Sequence, residues 1–286
     1  MKRRLAMHSA TTGTLGMLET IEVARVAEFD ALEIDDDKLS RHVASGGTLD
    51  DVRAALARAT LEPISLTTRE PLALPRGTDD VPALARSHET LCERAAAVGC
   101  RIVVIRPPRP LEQAMPKVWH DTATRTLASI SRAAAEHGIS VALEFVGTGS
   151  STVRTLAEGR EMVGEPSPPI GLVLDAFQFY AGASTWAMLD TLDTSTVSIV
   201  RLNDAEKLPL ENLTAANRVL PGDGVVPIRE LLRRIEGAGY RGPYSIQLER
   251  PDYWDWEPRR LARVAHESIE AVCAEKDEQE GLLEYD

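Results

Sequence analysis

Short runs of β-branched and aliphatic residues alternate along the chain with longer stretches in which apolar positions recur every three or four residues. The short runs predict strands at 4–8, 31–34, 62–67, 101–106, 139–145, 169–175, 197–203 and 243–248. The longer stretches predict helices near 17–28, 48–60, 79–98, 114–137, 152–163, 183–192, 227–238 and 257–275. Glycine follows several of these helices, in AAAVGCR, AAEHGIS and EGAGYRG, where its tolerance of positive φ suits a helix stop. Eight uninterrupted strand–helix units favour a closed barrel over an open doubly wound sheet. No GxGxxG follows the first strand, which further disfavours an open dinucleotide-binding sheet. The expected fold is α/β, a (β/α)8 TIM barrel in a single domain over residues 1–275, with residues 276–286 as an acidic tail, solvated or loosely docked.

In such a barrel the chemistry sits at the carboxyl ends of the strands and in the loops that follow them. That rule selects His8 with Thr11 and Thr12 after the first strand, Thr67 and Arg69 after the third, and Arg106 after the fourth. It also selects Glu144, Asp175 with Gln178, Arg201 with Asn203 and Asp204, and Gln247 with Glu249 after the last four strands. Glu144, Asp175, Arg201 and Gln247 close the stretches VALEF, GLVLD, SIVRL and YSIQL, so the barrel is expected to turn them toward one another. A carboxylate pair alone suggests a divalent metal. A guanidinium in the same ring argues against one, because it stays protonated and offers only donors. At about 4 Å and an effective dielectric near 20, a pair of like unit charges costs about 4 kcal/mol, and a divalent ion doubles that.

Composition narrows the partners. The chain has 286 residues, 43% hydrophobic and 27% charged, with a formal net charge of −12. Nucleic acid and anionic membranes both need a basic surface, so neither is an expected partner. Cys92, Cys100 and Cys273 have no metal-like spacing, and their odd number fits a reducing compartment. The basic start Lys2-Arg3-Arg4 is followed by no apolar run of signal-peptide length, and no stretch is long enough to span a bilayer. A cytoplasmic protein with a small-molecule substrate is the expectation.

At the selected residues the chain resembles the sugar phosphate isomerase/epimerase superfamily, the xylose-isomerase-like barrels that include ketose 3-epimerases and inosose-processing enzymes. The resemblance covers most of the length and is dense from 139 to 250. VALEFVG is similar to a strand-five segment whose Glu ligates metal, and GLVLDAFQFY to L-D-A-F-H-F-Y, whose Asp ligates metal and whose His contacts substrate. VRLNDA resembles a strand-seven segment that usually carries a His ligand, NRVLPGDG an Arg-x-x-P-G-x-G loop, and GYRGPYSIQLE a last strand that usually carries a Glu ligand. The resemblance thus implies Glu144 and Asp175 as retained ligands for Mg or Mn. Arg201 stands at the usual His, Gln247 at the usual Glu and Gln178 at the substrate-contacting His. The family also implies a homodimer as one possible assembly.

The expected chemistry is isomerisation or epimerisation of a small polyhydroxylated or anionic hydroxy-carbonyl compound, by proton abstraction next to the carbonyl and without a tightly bound metal. Arg201, set between Glu144 and Asp175, would supply the charge of the missing ion. Glu144 would act as base, with Glu249 as a second acid/base group and Asp175 completing the catalytic set. His8, Arg106, Gln178, Asn203, Arg218, Gln247 and Trp254 are the expected substrate contacts. Arg69, Arg106, Arg201, Arg218 and Arg250 all map to the loop face, and arginine forks suit carboxylate or phosphate groups. Two alternatives stay open: an ordinary divalent-metal-dependent sugar epimerase, and a non-catalytic barrel that binds such a molecule. Asp204 and the PGDG segment read as turn formers.

Overall fold

The computed structural model describes residues 3–75, 81–109, 116–149 and 151–282. Its parallel strands are β1 Leu5–His8, β2 Ala31–Asp35, β3 Glu62–Pro71, β4 Ile102–Arg106, β5 Ser140–Glu144, β6 Gly171–Asp175 and β7 Val197–Arg201. A two-stranded antiparallel ribbon follows, β8 Asp204–Ala205 with β9 Arg218–Val219, and then the last barrel strand, β10 Tyr244–Ile246. The eight long-range strands close in the order β1-β10-β7-β6-β5-β4-β3-β2, as the eight-unit pattern predicts.

Side chains alternate across each strand, and here the alternation makes layers. Met7, Leu32, Leu66, Val103, Leu143, Leu172, Val200 and Ile246 belong to the large core between sheet and helices. Ala6, Ala31, Ile64, Val104, Ala142, Val173 and Ile199 form a separate small cluster, one residue from each of seven strands, plugging the barrel. Two residues further along, the same face carries His8, Glu33, Arg106, Glu144, Asp175 and Arg201. An apolar plug thus supports a polar layer directly above it, and the polar layer is built by strands rather than by loops.

The predicted glycine stops are at Gly99, Gly138 and Gly239, all at positive φ (89°, 69° and 103°). Thr48 with Asp51, and Thr155 with Glu158, form capping boxes at the starts of helices Leu49–Ala59 and Leu156–Val163. Among the described residues three α-helices lie outside the predicted set: Asp36–Ala44, Ala176–Ala181 and the short Pro251–Trp254. Asp35 caps Asp36–Ala44 and Asp175 caps Ala176–Ala181, each by accepting backbone N–H bonds in the turn after its strand. In both, an aspartate at the strand end starts a helix in a segment too polar or too short for periodicity to reveal.

β10 stops short of the predicted 243–248. Above Ile246 the N–H of Gln247 donates to Asn203 Oδ1 (2.7 Å) and that of Leu248 to Thr11 Oγ1 (3.1 Å), so side chains take over from the strand ladder. The last helix runs Pro258–Leu282 and so includes residues 276–282 of the expected tail. Residues 79–80, 114–115 and 283–286, which the predicted elements or tail included, lie outside the described residues. Among the described residues no helix is long and apolar enough to cross a membrane.

Candidate active site

The centre of the polar layer is a buried ion network. Arg201, at the end of β7, is 0% exposed. Its Nε donates to Glu33 Oε1 at 3.0 Å and its Nη2 to Glu33 Oε2 at 2.8 Å, a bidentate fork. Its Nη1 stands 2.9 Å from Glu144 Oε1, as an ion pair. Ser65 Oγ adds a hydrogen bond to Glu33 (2.9 Å). Burial alone would raise the Glu33 carboxyl, but the charge and hydrogen bonds of Arg201, with the serine hydroxyls of Ser245 and Ser65, hold it below the usual range. Glu144 follows the same logic: burial pushes it up, while Arg201, then Arg106 and Arg218, pull it down to about 2. Between these carboxylates the Arg201 guanidinium is held charged more firmly still.

This corrects one expectation from the sequence. Arg201 bridges Glu33 and Glu144, not Glu144 and Asp175. Asp175 has a different cation: its Oδ2 accepts from Arg218 Nη1 at 2.8 Å and from Asn203 Nδ2 at 3.0 Å. Its Oδ1 caps the following helix through the N–H groups of Phe177 (2.8 Å) and Gln178 (3.2 Å). Arg218, 0% exposed, stacks with its Cζ 4.5 Å from the Phe177 ring centroid. The β8–β9 ribbon is what carries Arg218 back over the barrel. Its hinge is Asp204, whose two oxygens accept N–H bonds from Ala205, Gly222, Gly224 and Val226, so the turn-forming reading of Asp204 holds.

Nearer the mouth, Glu249 accepts from Gln247 Nε2 at 2.5 Å and lies 3.2 Å from Arg69 Nη1 and 4.0 Å from Arg106 Nη2. Arg106 Nε also reaches Glu144 Oε2 at 3.4 Å, and Arg69 is bound to Asp35. Arg69 and Arg106 are 34% and 20% exposed at their side chains, so they face the entrance while Arg201 and Arg218 lie beneath. Arg250 is turned away, toward Glu206 and Asp252.

The other expected contacts divide. His8 is fully buried at the end of β1, its Nδ1 accepting the Ala10 N–H at 3.2 Å. Gln178 gives its Oε1 to the Gly147 N–H (2.8 Å), which ties two loops together. Trp254 lies across Gly13; a Cβ added there would be 2.7 Å from the indole, so glycine is what lets the ring settle on the loop after β1. Among the site's buried polar atoms, His8 Nε2, Arg218 Nε, Arg218 Nη2 and Gln247 Oε1 have no hydrogen-bond partner in the protein.

Glu33 and Asp35, together with the buried Lys38 that donates to Thr12 (2.8 Å) and Thr20 (3.0 Å), were not anticipated. The signal was present in ALEID: alternation that turns Ala31 into the barrel must also turn Glu33 and Asp35 inward. The expected acid response follows from Glu144. Its folded pKa of about 2 lies below the ordinary 4.5, so the stabilisation is present above pH 4.5 and is lost as pH falls toward 2. Thermal midpoints measured from pH 6 to pH 2.5 should fall most steeply below 4.5, and Glu144→Gln should flatten that descent.

With this geometry in place, the comparisons with known proteins define a class. A family described as xylose isomerase-like TIM barrel matches residues 21–272, and the chain belongs to it. Among curated proteins, inosose isomerase of Halalkalibacterium halodurans is 27% identical over 276 residues, spanning 95% of this chain and 96% of that protein. Inosose isomerase of Bacillus subtilis is 28% identical over 185 residues, 64% of this chain and 66% of that one. Among solved structures, the IOLI protein with a binding zinc atom has a TM-score of 0.88 at 25% identity, covering 95% of this chain and 98% of that chain. L-Ribulose 3-epimerase shares the fold, with a TM-score of 0.79 at 16% identity over 99% of this chain and 98% of that chain.

Proposed function

We propose that this protein is an isomerase or epimerase for a polyhydroxylated cyclic or open-chain ketone of the inosose type, working by proton transfer at the carbon beside the carbonyl and using Arg201 where a relative uses a metal. The inosose isomerase that is similar over 95% of this chain supports the substrate class. So do the site's unpartnered atoms. Arg218 Nε and Nη2 and His8 Nε2 offer donors, while Gln247 Oε1 offers an acceptor, a mixture that suits hydroxyl and carbonyl oxygens.

The observation that carries the metal-free reading is the bidentate lock of Arg201 on Glu33, with Glu144 2.9 Å away on its other side. The zinc reported in the IOLI protein makes a divalent ion the group to test against this chain. Glu144 is held by Arg201, and Asp175 by Arg218 at 2.8 Å, so each carboxylate position already has a fixed cation on it. The remaining position, Gln247, brings no negative charge. A divalent ion here would meet two guanidinium groups across short distances, and the donor set does not fit it. Among the described residues, the one group of three or more His, Cys, Asp and Glu with ligand atoms within 4.8 Å of each other is Glu89, Glu93 and His137, on the helical shell.

The base in this reading is Glu249 rather than Glu144. A carboxylate drawn down to about 2 by Arg201 and its neighbours has little proton affinity, which suits Glu144 to balancing charge. Glu249 sits above it at the mouth. The C–H bond next to the carbonyl breaks, its proton passes to Glu249, and its electron pair forms the C=C bond of an enediolate. The carbonyl π pair moves onto oxygen, where the arginine charge stabilises it. Delivery of a solvent proton to the opposite face, with Glu249 releasing its own proton to solvent, gives epimerisation; return of the proton from Glu249 to the neighbouring carbon, with a proton exchanged between the two oxygens, gives isomerisation.

The test is solvent exchange. Inosose incubated with the protein in deuterium oxide and excess EDTA should lose its α-proton signal by NMR at an undiminished rate. Exchange that appears only on adding zinc or manganese would establish a metal-dependent epimerase, and no exchange with inososes or related ketoses would establish a non-catalytic barrel.

A further inference from the structure

The geometry points to His8 as a further catalytic residue, a neutral imidazole whose Nε2–H donates to the substrate's carbonyl oxygen as it becomes an enediolate. This rests on the proposed reaction at the same site. The first ground is the tautomer. A backbone N–H can only donate, and the Ala10 N–H lies 3.2 Å from His8 Nδ1, so Nδ1 presents its lone pair and the ring hydrogen of a neutral imidazole is on Nε2.

The second ground is position. His8 is the last residue of β1, pairs in register with Glu33 and stands one two-residue step above Ala6 of the barrel plug. It belongs to the same polar layer as Arg201 and Glu144. Its side chain is 0% exposed, yet Nε2 has no hydrogen-bond partner in the protein. Buried donors are nearly always paired, and those that are not are concentrated where a ligand completes them. Gln247 Oε1 and the Nε and Nη2 of Arg218 are also without partners at the same end of the barrel, so His8 Nε2 is one of several open valences there.

The third ground is the electrostatic setting. Burial, then the charge of Arg201, and that of Arg69, lower the pKa of His8 well below its ordinary 6.5; Asp35 and Glu144 oppose this and are outweighed. The ring therefore stays neutral through the physiological range and keeps its Nε2–H. A group that already holds its hydrogen on the substrate-facing nitrogen cannot serve there as base. What it can do is donate a hydrogen bond that shortens as charge builds on the oxygen, the use of a neutral imidazole known from other proton-transfer enzymes. Arg201 then has two functions: it supplies positive charge, and it adds to burial in holding His8 neutral.

Two measurements on the full-length protein test this. Long-range proton–nitrogen NMR spectra of nitrogen-15-labelled protein should show His8 with an unprotonated Nδ1 and a protonated Nε2, unchanged from pH 5.5 to 9. A protonated Nδ1, or titration inside that range, overturns the proposal. In the inosose exchange assay, His8→Phe should lower kcat about 10²- to 10³-fold, the effect of losing one oxyanion donor, with KM changed less than threefold. His8→Gln, whose amide keeps a donor, should recover at least tenfold over His8→Phe. Undiminished kcat in a folded His8→Phe overturns the role of His8 alone, while absence of exchange in the unaltered protein overturns the proposed reaction and this role together.

Discussion

Arg201→Met is expected to lower the unfolding free energy by about 3–5 kcal/mol, the cost of leaving buried charge without its partner. In a chain of this size that corresponds to roughly 10 °C in the thermal midpoint. The reason is the asymmetry of the network. Glu33 and Glu144 are both 0% exposed, and Arg201 is the cation in contact with both. Removing it leaves two carboxylates in the barrel interior with the Ser65 and Ser245 hydroxyls and the charges of Arg106 and Arg218 as compensation, and they must either repel each other or take up protons. The loss should therefore be greatest at neutral pH and shrink as pH falls and the freed carboxyls protonate. The triple variant Glu33→Leu, Glu144→Met, Arg201→Met should regain most of the lost stability, because a buried ion network replaced as a whole by apolar groups is close to neutral. Thermal scans of the three proteins check this, and a single variant as stable as the parent would show that the network is solvated in a way its burial denies. The exchange activity of both variants should be absent.

Glu249→Gln is expected to separate function from stability. Its carboxylate is 9% exposed at the mouth, with Arg69 3.2 Å away and Gln247 Nε2 at 2.5 Å. An amide of the same shape keeps an acceptor for Gln247, so the thermal midpoint should move by no more than a degree or two. The exchange rate should fall about 10²- to 10⁴-fold, the usual contribution of a positioned general base. Glu249→Asp should recover part of it, since the carboxylate remains but withdraws by one methylene. If Glu249→Gln exchanges at the parental rate while folded Glu144→Gln does not, the base is Glu144, and the low proton affinity imposed by Arg201 is overcome when substrate binds.

Much of the fold was legible because its signals are local. Eight β-branched runs, each followed by an amphipathic stretch and often a glycine at positive φ, leave little room for anything but a barrel. The polar strand ends were legible for a related reason: Glu144, Asp175 and Arg201 are each the last residue of a short strand, where polarity stands out against an apolar run. Glu33 was missed because it sits in the middle of ALEID, where a single acid between Leu32 and Ile34 reads as ordinary variation until the face it occupies is known. The pairing error has the same root. Sequence places Glu144, Asp175 and Arg201 in one ring, but which carboxylate meets which guanidinium depends on reach across the barrel. Arg218 arrives from a ribbon far along the chain and takes Asp175, and Arg201 turns instead to β2. No spacing rule connects residues 33 and 201. Gln178, which family resemblance assigns to substrate, also accepts the Gly147 N–H through its Oε1 and so ties two loops, a duty that only the fold reveals.

The early end of β10 has a bearing on how such a site changes over generations. Above Ile246 the backbone leaves its neighbours' ladders and is tethered by Asn203 and Thr11 side chains. Glu249 is three residues past that departure. Substitutions at positions 203 and 11 can therefore tilt or shift the segment carrying this carboxylate without breaking a ladder hydrogen bond or disturbing the apolar plug below. The Arg201 fork on Glu33, by contrast, is anchored between two full strands and tolerates no such drift. The barrel thus pairs a fixed charge with an adjustable acid, and the adjustable partner is the one through which a new substrate is most readily fitted.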